Sequence, residues 1–183
     1  MQDSVKVSVE ELRALLAAER IEGLVVTGFV DDGSGFSKDV KPLHRFAQFH
    51  PMWDEVYLEL GRVLLRLKVV DGSSGLQMER VARMESAFEV DPDDVFGAMS
   101  LLRTLLPSGR ESARVEQIDY YVDPAGAGRA GKVAALGLAL DKGEYLFFDP
   151  LDPANGIHVG NVQSRDLWLA WTERRYVPGS CAV

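Results

Sequence analysis

Cysteine is nearly absent. The 183-residue chain has one, Cys181. A single thiol closes no internal disulfide, and nothing stands beside it at zinc-ligand spacing. It lies in Val177-Pro-Gly-Ser-Cys-Ala-Val183, which reads as a fraying tail rather than a pocket for a nucleophile. Histidine is scarce as well. His44 and His50 are spaced for neither a helical i,i+4 pair nor a strand pair, and His158 is remote. The expectation is therefore no metal.

Positive charge is also in short supply. Twenty Lys and Arg face 28 Asp and Glu, for a net charge of −8. Nucleic-acid binders draw affinity from a basic patch that neutralises phosphates. Here residues 1–90 and 91–183 each carry −4, with no basic arm. Long apolar runs are missing, so no membrane helix is expected. Met1-Gln-Asp-Ser-Val-Lys6 lacks the basic-then-apolar order of a secretory signal. These absences point to a cytoplasmic protein with neither a nucleic-acid nor a membrane partner.

Catalytic signatures are thin. No G-x-S-x-G elbow occurs. Gly131-Lys132-Val133 fails the phosphate-loop pattern at its last position. Gly126-Ala-Gly-Arg-Ala-Gly131 is a literal G-x-G-x-x-G, with Asp149 18 residues beyond. In a dinucleotide site the glycines admit pyrophosphate to a helix N-terminus and the acid holds ribose. Yet Pro124 and Ala125 separate it from the preceding strand, and the following helix would have to hold Gly137. A loop before a hairpin fits better, and no cofactor is expected.

What is present reads as one α+β domain over residues 1–183. The expected sheet is mainly antiparallel, with hairpins, packed by two or three helices. Apolar residues make up 46% and charged residues 26%, ordinary values for a globular chain. Ser8-Val-Glu-Glu11 is a capping box, and Val9, Leu12, Leu15 and Leu16 share a helical face. Leu24 to Val30 reads as a strand, and Asp31 to Gly35 as a loop. Pro42 opens a predicted short helix through Leu43, Phe46 and Phe49, stopped at His50-Pro51.

Val56 to Leu60 and Arg62 to Val70 predict a hairpin about Gly61. Arg62, Leu64, Arg66 and Lys68 lie on its polar face, and Val63, Leu65, Leu67 and Val69 on its buried one. Residues 76–84 read equally as strand or helix. Asp91-Pro-Asp-Asp94 predicts a buried helix through Leu106. Ala113 to Val122 is a predicted strand. A hairpin is predicted about Asp141-Lys-Gly143, then a loop over residues 149–156 and a short edge strand at Ile157-His-Val159. Residues 164–172 fit a helix capped by Ser164, or a strand.

Candidate binding residues are acids in turns and aromatics near the C-terminus: Asp31, Asp32, Asp149, Asp152, Trp168 and Trp171. Trp is enriched at binding hot spots, although core packing is the commoner use of such residues. The loop acids are also the nearest thing to an acid–base pair, though turn acids are ordinarily solvated.

Ala135 to Pro150, running into Asn155-Gly-Ile-His-Val-Gly160, resembles small bacterial immunity-like proteins that neutralise polymorphic toxins. The Val56 to Leu60 hairpin is similar to theirs too. The resemblance implies a non-catalytic protein-binding role, in which an acidic, partly aromatic surface occludes the basic active-site face of a toxin. It assigns no residue a role. A structural or regulatory subunit of a homo-oligomer, or a small enzyme with a loop-carboxylate site, are the alternatives.

Overall fold

The structure is a computed structural model. It describes residues 4–31, 48–70, 75–85, 95–124, 132–152, 156–172 and 175–183, with only the backbone at Leu151 and Asp152. The predicted features at Asp32 to Gly35, residues 36–47, Asp71 to Ser74, Asp91 to Asp94 and Gly126 to Gly131 lie outside these residues.

The fold is α+β, with two antiparallel sheets facing one another. β1 (Val5–Lys6) leads into α1 (Val9–Ala18), whose capping box is present in both directions: Glu11 N–H donates to Ser8 Oγ, and Ser8 N–H to Glu11 Oε2. β2 (Ile21–Asp31), β3 (Gln48–Leu60), β4 (Val63–Val69) and β5 (Leu76–Val81) follow. β6 (Val95–Ser100) precedes a single-turn helix, α2 (Leu102–Leu105). The first sheet runs β1-β5-β4-β3-β2-β6.

β7 (Val115–Val122), β9 (Ala135–Leu140), β10 (Tyr145–Asp152), β11 (Gly156–Gly160) and β12 (Val177–Ala182) form the second sheet, in the order β11-β10-β9-β7-β12. β8 (Lys132–Val133) pairs with β5, and the chain crosses at Ala134 into β9. One segment thus joins both sheets. α3 (Val162–Trp171) lies on the outer face of the second sheet.

Strand alternation explains the core. Val56, Leu58, Leu60, Leu65, Leu67, Leu76 and Met78 point inward from the first sheet. Ile118, Leu136, Leu138, Leu140, Leu146 and Phe148 meet them from the second, and Leu12 and Leu16 join from α1. This continuous apolar layer is what the period-two pattern demands. The hairpin about Gly61 is present, with φ +56° at the turn glycine. The one about Asp141–Gly143 is present as a tight 3-10 turn. Residues 76–81 are a strand, and residues 162–171 a helix capped by Asn161 rather than Ser164; Ser164 supplies the reciprocal bond.

Five expectations are corrected. Val95 to Ser100 is a strand paired to β2, not the start of a buried helix. Its residues are apolar almost without a break, so periodicity carried no information there. Phe49 and His50-Pro51 lie inside β3, where Pro51 sits beside a register shift opposite Gly28. Residues 177–182 are no fraying tail but a strand on β7, and Cys181 is partly buried against the core. Asp149 to Asp152 continue β10 rather than forming a loop. Finally, the polar face of β4 is partly closed to solvent: Arg66 is buried, while Leu64 and Lys68 are half-buried.

That face holds an ion network. Arg66 bonds Glu55 at 3.2 Å and also Glu79, and Lys68 lies 3.1 Å from Glu79. The buried Tyr57 hydroxyl donates to Glu55 at 2.6 Å. Burial pushes the Glu79 carboxyl up, but Arg66 and Lys68 outweigh it and hold it below the usual range. Burial and Glu55 push the Tyr57 hydroxyl up to about 12.

Candidate functional site: an aromatic cleft beside helix α3

A cavity lies between α3, β11 and β3, with a volume of about 820 Å³. Local sequence builds each wall. Asn161 accepts from Gln163 N–H at 2.9 Å and Ser164 N–H at 3.4 Å, which fixes where α3 begins. Helical spacing then places Ser164, Leu167, Trp168 and Trp171 in one stripe along the cleft.

β11 forms the opposite wall through Gly156, Ile157, His158 and Val159, with Asp149 beside them and Trp53 from β3. Gly156 makes this junction possible. Its φ is +79°, and a Cβ there would fall 2.4 Å from the Trp53 carbonyl. Only glycine brings β11 this close to β3.

The two tryptophans of α3 divide the work. Trp168 is 3% exposed. It lies against Tyr121 at 4.9 Å and Phe147 at 5.7 Å, and stacks on Tyr176 at 5.0 Å. Its indole N–H has no hydrogen-bond partner among the described residues. Trp171 is 80% exposed and Leu167 72%. Arg165 braces the helix from its other side. It lies 5.1 Å over the Tyr145 ring, and Tyr145 donates to Asp119 at 2.7 Å. Burial first, then Asp119, pushes the Tyr145 hydroxyl far above its ordinary value, so it stays a donor.

The sequence candidates separate in space. Asp149, Trp168 and Trp171 come together at the cleft. Asp152 pairs with Gly156, which lines it, through the backbone. Asp31 ends β2 in the other sheet, opposite Gln48. Asp32 lies outside the described residues. Sequence reasoning missed Trp53, Ile157 and Val159 as wall residues. Nothing local marks them, since a register between distant strands brings them here.

Three polar side chains line the cleft. Asp149 and His158 are cross-strand neighbours, and Ser164 sits across from them on α3. These residue types serve acyl transfer when base and nucleophile touch. Here no hydrogen bond joins His158 to Ser164, and Ser164 Oγ accepts the Asn161 N–H at 3.3 Å. The hydroxyl is tied to capping. No cluster of metal-ligating side chains occurs among the described residues. The glycine cluster is followed by β8 and β9, strands where a dinucleotide motif needs a helix.

No protein-family model, curated protein or solved structure matches this chain. Among the described residues no helix is long and apolar enough to cross a membrane.

Proposed function

We propose that this chain is a non-catalytic binding protein that captures a protein partner in the cleft between α3 and β11. One observation carries the reading: Trp171 and Leu167 stand 80% and 72% exposed beside a concave apolar wall. Large apolar side chains grouped on a surface mark interaction sites, and Trp is prominent among binding hot spots. A partner's apolar or aromatic side chain enters between Trp171 and Ile157, while Asp149 and His158 meet polar or basic groups at its edge.

The finer reading follows the likeness to immunity-like proteins. The partner is a toxin domain, held so that its active-site face is covered. The net charge of −8 favours encounter with a basic face. The protein acts in the cytoplasm, where such a toxin would do harm.

The test is comparative capture from source cells, with the natural chain and a Leu167→Ala, Trp171→Ala variant as baits. The expected result is a protein held by the first and lost from the second, encoded beside this gene. Growth protection on co-expression with that protein should follow the natural chain only. Equal capture by both baits contradicts the cleft. Capture without protection contradicts the immunity role.

A further inference from the structure

β6 is an edge strand of unusual composition. It closes the β2 end of the first sheet, and no strand pairs on its far side among the described residues. Val95 is 65% exposed, and Phe96 and Met99 are 39% exposed. Val95-Phe-Gly-Ala-Met-Ser100 contains no charge and no proline. Exposed edges are normally blunted by charge, proline, shortness or cover, because their free N–H and C=O groups recruit other strands.

The other edges show such devices. β1 is two residues long and includes Lys6. β12 contains Pro178, and Arg13 Nε donates to its Ala182 carbonyl at 2.7 Å. β11 has α3 beside it. β8 is two residues long and begins with Lys132, so among the described edges only β6 is both long and plain.

The direction of its free groups can be read from one bond. Leu101 N–H donates to the Leu24 carbonyl at 2.6 Å, one step beyond the Val25–Ser100 pair. Bonded pairs alternate along an antiparallel ladder. Met99, Gly97 and Val95 therefore turn their backbone groups toward β2, and Phe96, Ala98 and Ser100 turn theirs outward.

The geometry points to a second copy of this chain as the occupant, paired antiparallel through β6 about a two-fold axis normal to the sheet. Such an axis keeps each side chain on its own face, so the register centres on one residue. Centred on Ala98, it sets Phe96 opposite Ser100 of the second copy, Gly97 opposite its Met99, and Ala98 opposite itself. Phe96 meets Ser100 and Met99 meets Gly97, large against small, and the two Ala98 residues meet at the centre. All three outward residues are used, giving about six hydrogen bonds, two per facing pair. Two chains of −8 repel, and this uncharged edge is a place where they can approach. The contact is smaller than a standard interface, so association is weak and concentration-dependent.

Sedimentation of the full chain from micromolar to millimolar concentration tests this. The mass should rise from 20.2 kDa toward twice that value. Ala98→Lys sets two cations face to face, and Ala98→Pro removes an outward N–H that β2 does not use. Both should hold the mass at 20.2 kDa at every concentration with the fold intact by circular dichroism. Met99→Pro, which removes a bond to β2, should lower the melting temperature. A natural chain that stays monomeric throughout overturns the proposal and leaves the edge to another protein's strand. A dimer that survives both Ala98 variants overturns it too. The cleft is built from α3, β11 and Trp53 of β3, none of which pairs with β6, so these outcomes are separate from those of Leu167→Ala, Trp171→Ala.

Discussion

The outer faces of the two sheets use their side chains in opposite ways. On the first sheet, Arg66 is ringed by Glu55 and Glu79, with Tyr57 and Lys68 completing the set. Glu55, Arg66, Lys68 and Glu79 find their partners among one another. On the second, Tyr121, Phe147, Trp168 and Tyr176 pack beneath α3, and the aromatic character continues past the packed region into open surface at Trp171. A closed ionic set holds structure. An aromatic layer that runs on into solvent leaves apolar area for a partner to cover.

Removing the centre of the aromatic face should have the largest effect. Trp168→Ala empties a site packed by three aromatic rings and should cost about 4 kcal/mol, measured by urea unfolding. Trp168→Phe keeps most of the packing and deletes an indole N–H that has no partner among the described residues. It should cost roughly 1–2 kcal/mol. A loss as large as that of the alanine variant would mean that the N–H is bonded after all.

Arg66→Ala should cost about 3 kcal/mol, because it removes the buried cation that Glu55 and Glu79 share and leaves Glu79 with Lys68 alone. The same network predicts how stability responds to pH. The Glu79 carboxyl is held below its ordinary 4.5 in the folded chain. Its contribution is complete above pH 4.5 and is lost as acid protonates it below that value. The Tyr57 hydroxyl is raised from 10.0 to about 12, so its contribution is complete below pH 10 and fades as pH climbs toward 12. Urea midpoints taken across pH should therefore fall on both sides of a plateau. In Arg66→Ala the Glu79 part of the acid limb should shrink, because the folded carboxyl loses a cation that holds it low.

Trp171→Ala should leave stability within about 0.5 kcal/mol, since the side chain is 80% exposed. Acrylamide should quench the Trp171 component of the fluorescence and spare that of Trp168. Single-tryptophan variants resolve the two.

Much of the fold was legible where local chemistry decides it. Ser8 and Glu11 start α1, and Gly61 and Gly143 turn their hairpins, because caps and turns depend on a few adjacent residues. β6 and β12 were misread because partners far along the chain make them strands. Val95 to Ser100 looks as apolar as a buried helix until β2 is beside it, and residues 177–182 look slack until β7 pairs with them. The site was half legible. Trp168 and Trp171 stood out as aromatics, but periodicity did not reveal which would be buried. Trp53 enters the cleft only because Gly156 admits β11 against β3.

The most direct test of the cleft is a titration of the captured partner with the natural chain and with Trp171→Ala, thermal melting measured alongside. A fully engaged Trp is worth about 2 kcal/mol or more, so affinity should fall by roughly thirtyfold or more while melting is unchanged. Equal affinity for the two chains would contradict the account.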